Sequence, residues 1–128
     1  MKFILIPSDI ALYDELTGAP VTGADGKAIP AKSFVEFCLE SPLRDHGAFG
    51  SSIEALESRN AIRDALFEFV AADGAKRRAH AGDTVGIHPN DYEILLRAVK
   101  KPSSPYLPQF MGQLLPFFRA IRDAKDQP

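Results

Sequence analysis

The stretch Asn90-Asp91-Tyr92-Glu93-Ile94-Leu95-Leu96-Arg97-Ala98-Val99-Lys100 carries the cleanest helical period in the chain. Tyr92, Leu95, Leu96 and Val99 stand at i, i+3, i+4 and i+7, which gathers them on one face of a helix over about 90 to 100. Asn90, three residues before Glu93, is the expected N-cap. Just upstream, Thr84-Val85-Gly86-Ile87 suits either a brief strand or an extended link.

Further back, Ser51-Ser52-Ile53-Glu54 has capping-box spacing and opens the longest expected helix, about 52 to 72. Ile62, Leu66, Phe69 and Val70 form its core stripe, while Glu54, Glu57, Asp64 and Glu68 fall on the opposite, solvated side. Asp73-Gly74 reads as its stop, with Lys76-Arg77-Arg78 beyond the negative end of the helix dipole. A second capping box, Ser33-Phe34-Val35-Glu36, starts a helix whose Phe34, Phe37 and Cys38 share a face. Ser41-Pro42 ends it, because the residue before proline avoids α geometry.

The first 32 residues read differently. Phe3 to Ile6 is β-prone and bounded by Pro7, so a short strand fits. Thr17-Gly18, Thr22-Gly23 and Asp25-Gly26 then punctuate a hairpin-rich segment flanked by Val21 and Ile29. Hairpins of this size need helices to lean on. The expected fold class is therefore α+β, helix-dominated: an N-terminal β-hairpin unit packed on about four helices. One domain spans 1–128, divided into a hairpin region 1–32, a helical region 33–100, a proline-rich connector 101–108 and a last helix 109–124. Pro116 lies inside that last helix and forfeits one backbone bond, so a kink is expected there.

Composition narrows the function classes. With 45% apolar residues in 128, the chain can build a real core. Its 15 Lys and Arg stand against 17 Asp and Glu, a net charge of −2, which removes any general electrostatic case for nucleic acid or an anionic membrane as partner. One cysteine excludes an internal disulfide and a cysteine-rich zinc site. The apolar run Phe3-Ile4-Leu5-Ile6 stops at Pro7, too short for a secretory signal, and no stretch approaches a membrane span. A soluble cytoplasmic protein is expected.

Chemistry-bearing residues are few and bland in spacing. His80, Asp83, His88 and Asp91 cluster in sequence, yet no histidine pair has the i, i+4 spacing of a helical metal site. Asp83 and Asp91 read as turn and cap residues. Cys38 lies beside Phe34 and Phe37 and reads as a small buried hydrophobe. Ser51 and Ser52 form no nucleophile elbow, and no glycine-rich phosphate loop occurs. The expectation is a non-enzymatic protein without a catalytic centre, metal or cofactor.

The closing helix is the informative surface. Phe110, Met111, Leu114, Leu115, Phe117, Phe118 and Ile121 put seven large apolar residues into twelve positions, sweeping an arc of roughly 160° at about 100° per residue. Two readings follow: the helix is the central core helix of a small domain, or these seven residues bind another protein chain, a second copy included. Both hold together if one edge of the arc packs inward and the other docks.

The layout resembles a known group. Asp14-x-x-Thr17-Gly18-x-Pro20, Asp25-Gly26-Lys27-x-Ile29, Ser33-Phe34-x-x-Phe37 and Gln113-Leu114-Leu115-Pro116-Phe117-Phe118-Arg119-Ala120-Ile121 follow a short first strand. Together they are similar to small proteins of tailed-bacteriophage and prophage structural modules, including tail-assembly chaperones. The resemblance implies an assembly or virion-associated role through protein partners and assigns no site residue. A second expectation is a small regulatory inhibitor that meets a host enzyme through Glu54, Glu57, Asp64 and Glu68.

Overall fold

Phe3-Ile4-Leu5 alternates across a strand, with Ile4 buried and Leu5 turned outward, and this strand finds its partner eighty residues away. In the computed structural model, which describes residues 1–14, 16–27, 31–40, 43, 52–100 and 113–127, β1 (Lys2–Leu5) pairs antiparallel with β4 (Thr84–Ile87). The register sets Phe3 opposite Gly86 and Ile4 opposite Val85. The stretch Thr84–Ile87 is thus a strand, the first of the two readings its sequence allows. On the other side of β1, Phe3 exchanges both backbone bonds with Lys125, so the C-terminal tail adds a third, single-residue pairing.

The N-terminal turns form where their residues predict. The Asp14 carbonyl accepts from Gly18 N–H, Tyr13 bridges Pro20, and Gly23 donates to Lys27 across a turn whose Gly26 has φ +76°. They link isolated bridges, Ile10 with Lys32 and Tyr13 with Pro20, rather than a continuous ladder. Ile29 lies outside the described residues.

Four helices are present among the described residues: α1 (Phe34–Glu40), α2 (Ile53–Phe67), α3 (Pro89–Lys100) and α4 (Leu115–Arg122). The expected Ser33 cap holds, its Oγ accepting from Glu36 N–H at 3.2 Å. In α2 the cap is Ser52, one residue after the Ser51 that opens the capping box, and its Oγ accepts from Ala55 N–H at 3.1 Å. The Ser41-Pro42 stop lies outside the described residues. α2 ends at Phe67, short of the expected 72. The β-prone pair Phe69-Val70 leaves the helix to form β2 (Phe69–Val70), antiparallel to β3 (Lys76–Arg77). Asp73-Gly74 therefore closes a hairpin instead of stopping a helix. Gly74 takes φ +83° and Asp73 Oδ1 accepts from Ala75 N–H. Val70, expected in the core, is exposed in consequence.

α3 starts at Pro89, ahead of the asparagine expected to cap it. His88 precedes Pro89, and its Nδ1 accepts from Asn90 N–H at 3.2 Å, so His88 and not Asn90 supplies the cap. The described part of α4 begins at Leu115, and Pro116 sits in its first turn, a position that tolerates the missing N–H. The expected kink turns on the bond to Gly112, outside the described part. Residues 109–112 lie outside the described part.

The core joins the two layers in an α+β arrangement. Ile4, Ile6 and Val85 from the sheet meet Phe34 and Phe37 of α1, Ile62 and Leu66 of α2, Leu95 of α3, and Phe117 and Ile121 of α4. Phe37 lies 5.2 Å from the Phe117 ring and 5.0 Å from Phe118, and Phe34 meets Phe117 edge-on at 5.7 Å. Cys38 is enclosed among them, as its neighbours predict, and burial pushes its thiol well above the ordinary range.

Candidate functional site

The helices cover one face of the β1–β4 pair and leave the other partly open. Alternation puts Ile4 into the core and Phe3 and Leu5 on the opposite face, where Leu5 is 63% exposed. Gly86, opposite Phe3, has no side chain there; a Cβ at that position would lie 3.1 Å from the Phe3 ring and 2.9 Å from Met1 Sδ. The aromatic ring therefore lies down on bare backbone. Beside it opens a groove of about 330 Å³, lined by Phe3, Leu5, Thr84, Arg119, Ala120 and Asp123, with Lys125 and Gln127 at the tail end.

Elements distant in sequence build this groove. β1 supplies its apolar floor, α4 its wall, and the tail its rim. Tyr92 fixes the wall: its hydroxyl donates to the carbonyls of Ile121 at 2.8 Å and Arg122 at 3.1 Å, anchoring the end of α4 to α3. Lys2 fixes the tail, meeting Asp126 at 2.7 Å, and the two groups shift each other's titration, Lys2 upward and Asp126 downward. Asp123 is engaged by Arg122, with contacts of 2.8 and 3.0 Å that hold its carboxyl below the usual range. Arg119 and Lys125 are exposed and form no ion pair among the described residues.

The seven residues expected to meet a partner divide. Leu114, Phe117 and Ile121 are fully buried in the core, so they are withdrawn as contact residues: the wide apolar arc of the last helix is largely consumed by α1, α3 and the sheet. Phe118 is half-buried against Phe37. Leu115 is 41% exposed and remains accessible. Phe110 and Met111 lie outside the described residues. Phe3 and Leu5, which the sequence marks only as strand, take their place on the open surface; the period-2 alternation of Phe3 to Ile6 is the signal that separates them from Ile4 and Ile6.

The polar clusters are structural in geometry. Asp83 grips Arg77 with two contacts, 2.6 and 2.9 Å, and also accepts from His80 N–H at 2.9 Å. The Arg77 guanidinium holds the Asp83 carboxyl well below the usual carboxylate range. Arg77 also lies over the Phe69 ring at 5.2 Å, and Arg78 over Phe67 at 5.3 Å. Arg78 reaches Ser33 Oγ at 3.3 Å and Glu36 at 3.6 Å. Two cations of the run Lys76-Arg77-Arg78 thus tie β3 to its surroundings. Among the described residues no group of three His, Cys, Asp or Glu side chains is placed to hold a metal ion, and no helix is long and apolar enough to cross a membrane.

Comparison with protein-family models, curated proteins and solved structures finds no match. The groove between β1 and α4 is accordingly read from its own chemistry: an apolar floor, two exposed cations without an ion pair among the described residues, and a strand edge.

Proposed function

We propose that this chain is a non-enzymatic protein-binding module, an assembly adaptor of the phage type, that holds another polypeptide in the groove between β1 and α4. The observation that carries the reading is the open face of β1, where Phe3 and Leu5 stand beside Ala120 instead of under a helix. Apolar surface shaped into a groove and rimmed by charge is what a polypeptide contact needs. The likeness of the turn and helix layout to small virion-module proteins supports the assembly context.

Site-specific photocrosslinking tests the reading. A benzophenone side chain at Leu5 is expected to trap one defined polypeptide in the cells that make the protein. The same group at Leu56, exposed on α2, serves as the control and is expected to trap none. Equal labelling from both positions, or none from Leu5, defeats the proposal. A second reading, a regulatory inhibitor, is favoured by one observation: Glu54, Glu57 and Asp64 on α2, and Glu68 just after it, are all solvent-exposed. Its signature is an interaction that collapses with added salt and vanishes on charge neutralisation of those four positions.

A further inference from the structure

We propose that the groove takes an extended, acidic segment of its partner as an added strand beside Leu5, an inference that rests on the binding-module reading above. Antiparallel pairing alternates the direction of backbone polar groups. Ile6 N–H donates to the Asp83 carbonyl on the β4 side, whereas Phe3 N–H and C=O both face Lys125 on the other side. Leu5, two residues after Phe3, therefore turns its N–H and C=O to the same edge as Phe3. The tail does not continue the ladder there, because Asp123 N–H bonds the Arg119 carbonyl inside the end of α4. A donor and an acceptor are left at the mouth of the groove. Pro7, the next residue facing that way, has no N–H, so the open edge is short.

A strand edge selects backbone rather than a small molecule, since its donor and acceptor match those of another extended chain. The charge around it selects sign. Asp123 is engaged by Arg122, while Arg119 and Lys125 line the same groove with no ion pair among the described residues. On an added strand, alternate side chains share one face. An apolar residue there covers Phe3, Leu5 and Ala120, and a neighbouring carboxylate reaches Arg119 or Lys125.

The probe is an acetylated octapeptide alternating valine and glutamate, titrated into the full chain while the Leu5 amide is followed by NMR. Saturable binding is expected, about tenfold tighter than for the valine–lysine counterpart. It is expected to be lost when the peptide's backbone nitrogens are methylated. Arg119→Glu and Lys125→Glu, both at exposed positions, are expected to keep the wild-type unfolding transition and to reverse the preference between the two peptides. Equal binding of both peptides, indifference to methylation, or no shift of the Leu5 amide up to millimolar peptide overturns the acidic-strand proposal. Photocrosslinking from Leu5 separates the two levels. A defined adduct with a failed peptide titration leaves the binding module standing and removes only the added strand. The absence of both removes both.

Discussion

Gln113 pairs with Tyr13 as a neighbouring strand would: its Oε1 accepts from Tyr13 N–H at 2.9 Å and its Nε2 donates to Tyr13 C=O at 2.7 Å. One side-chain amide thus fastens the N-terminal turn segment to the start of α4, a hundred residues along the chain. Glutamate at this position keeps an acceptor but loses the donor, and sets a carboxylate against the Tyr13 carbonyl. Gln113→Glu is expected to destabilise the fold by about 1–2 kcal/mol, read from urea unfolding. Unchanged stability would mean that this pair holds nothing together.

Phe117 and Phe118 are adjacent in sequence but unequal in burial. Phe117 is fully enclosed between Phe34 and Phe37, whereas Phe118 is half-buried and leans on Phe37. Phe117→Ala is expected to cost about 3–5 kcal/mol, a large share of the stability of a domain this size. Phe118→Ala is expected to cost roughly half as much, since less of its surface is buried. Denaturant titration of the two variants checks the order, and a reversed order would contradict the packing described.

The same pair shows where sequence is a good guide and where it fails. Period and caps place α1, the start of α2 to within a residue and the buried stripe of α3, because each rests on local geometry: Ser33, Tyr92, Leu95 and Val99 all behave as their spacing requires. What local spacing does not contain is which face a distant element will cover. The apolar arc of α4 is too wide for one contact, but aromatic and aliphatic side chains converge on it from three elements, α1, α3 and β1. Phe3 and Leu5 were open for the converse reason, since their strand pairs with Thr84–Ile87 and leaves one face of the ladder bare. The Asp73-Gly74 turn was legible as a break, but whether it ended a helix or closed a hairpin depended on Phe69-Val70 meeting Lys76-Arg77.

Asp83 gives the fold an acid-sensitive tie. Its side chain is 13% exposed and its carboxylate is held low mainly by the Arg77 hydrogen bonds. A depressed folded pKa means that the stabilisation is complete above the unfolded value, about 4, and declines as pH falls below it toward the folded value. Asp83→Asn is expected to lose about 2 kcal/mol at neutral pH. The gap between wild type and variant should narrow steadily once pH drops below about 4. A gap that stays constant down that range would show that Asp83 is not charged through this pair.

Tyr92 behaves in the opposite sense. Burial raises its phenol above the ordinary range, and its hydroxyl donates to two carbonyls at the end of α4. Because the folded state keeps the proton, the stabilisation is present below the unfolded value, about 10, and is lost as pH rises beyond it. Tyr92→Phe is expected to cost about 1 kcal/mol near neutrality and to speed hydrogen exchange in the last turn of α4. Above about pH 10 the two proteins should converge in stability.

Gly86 links the sheet to the groove. Its backbone is extended, so the space above it, not its dihedral freedom, is what a side chain would disturb: a Cβ meets the Phe3 ring at 3.1 Å and Met1 Sδ at 2.9 Å. Met1 is exposed and its thioether can swing aside, whereas the Phe3 ring must lift off the ladder into the groove. Gly86→Ala is therefore expected to cost only about 1 kcal/mol in stability. Its larger effect should fall on the groove, as a displaced Phe3 aromatic signal in NMR and weaker binding of whatever β1 holds. Gly86→Val adds two more methyl groups against the same ring, so both effects should grow together. If the ring signal stays in place across the series, Phe3 does not rest on Gly86, and the floor of the groove must be formed in some other way.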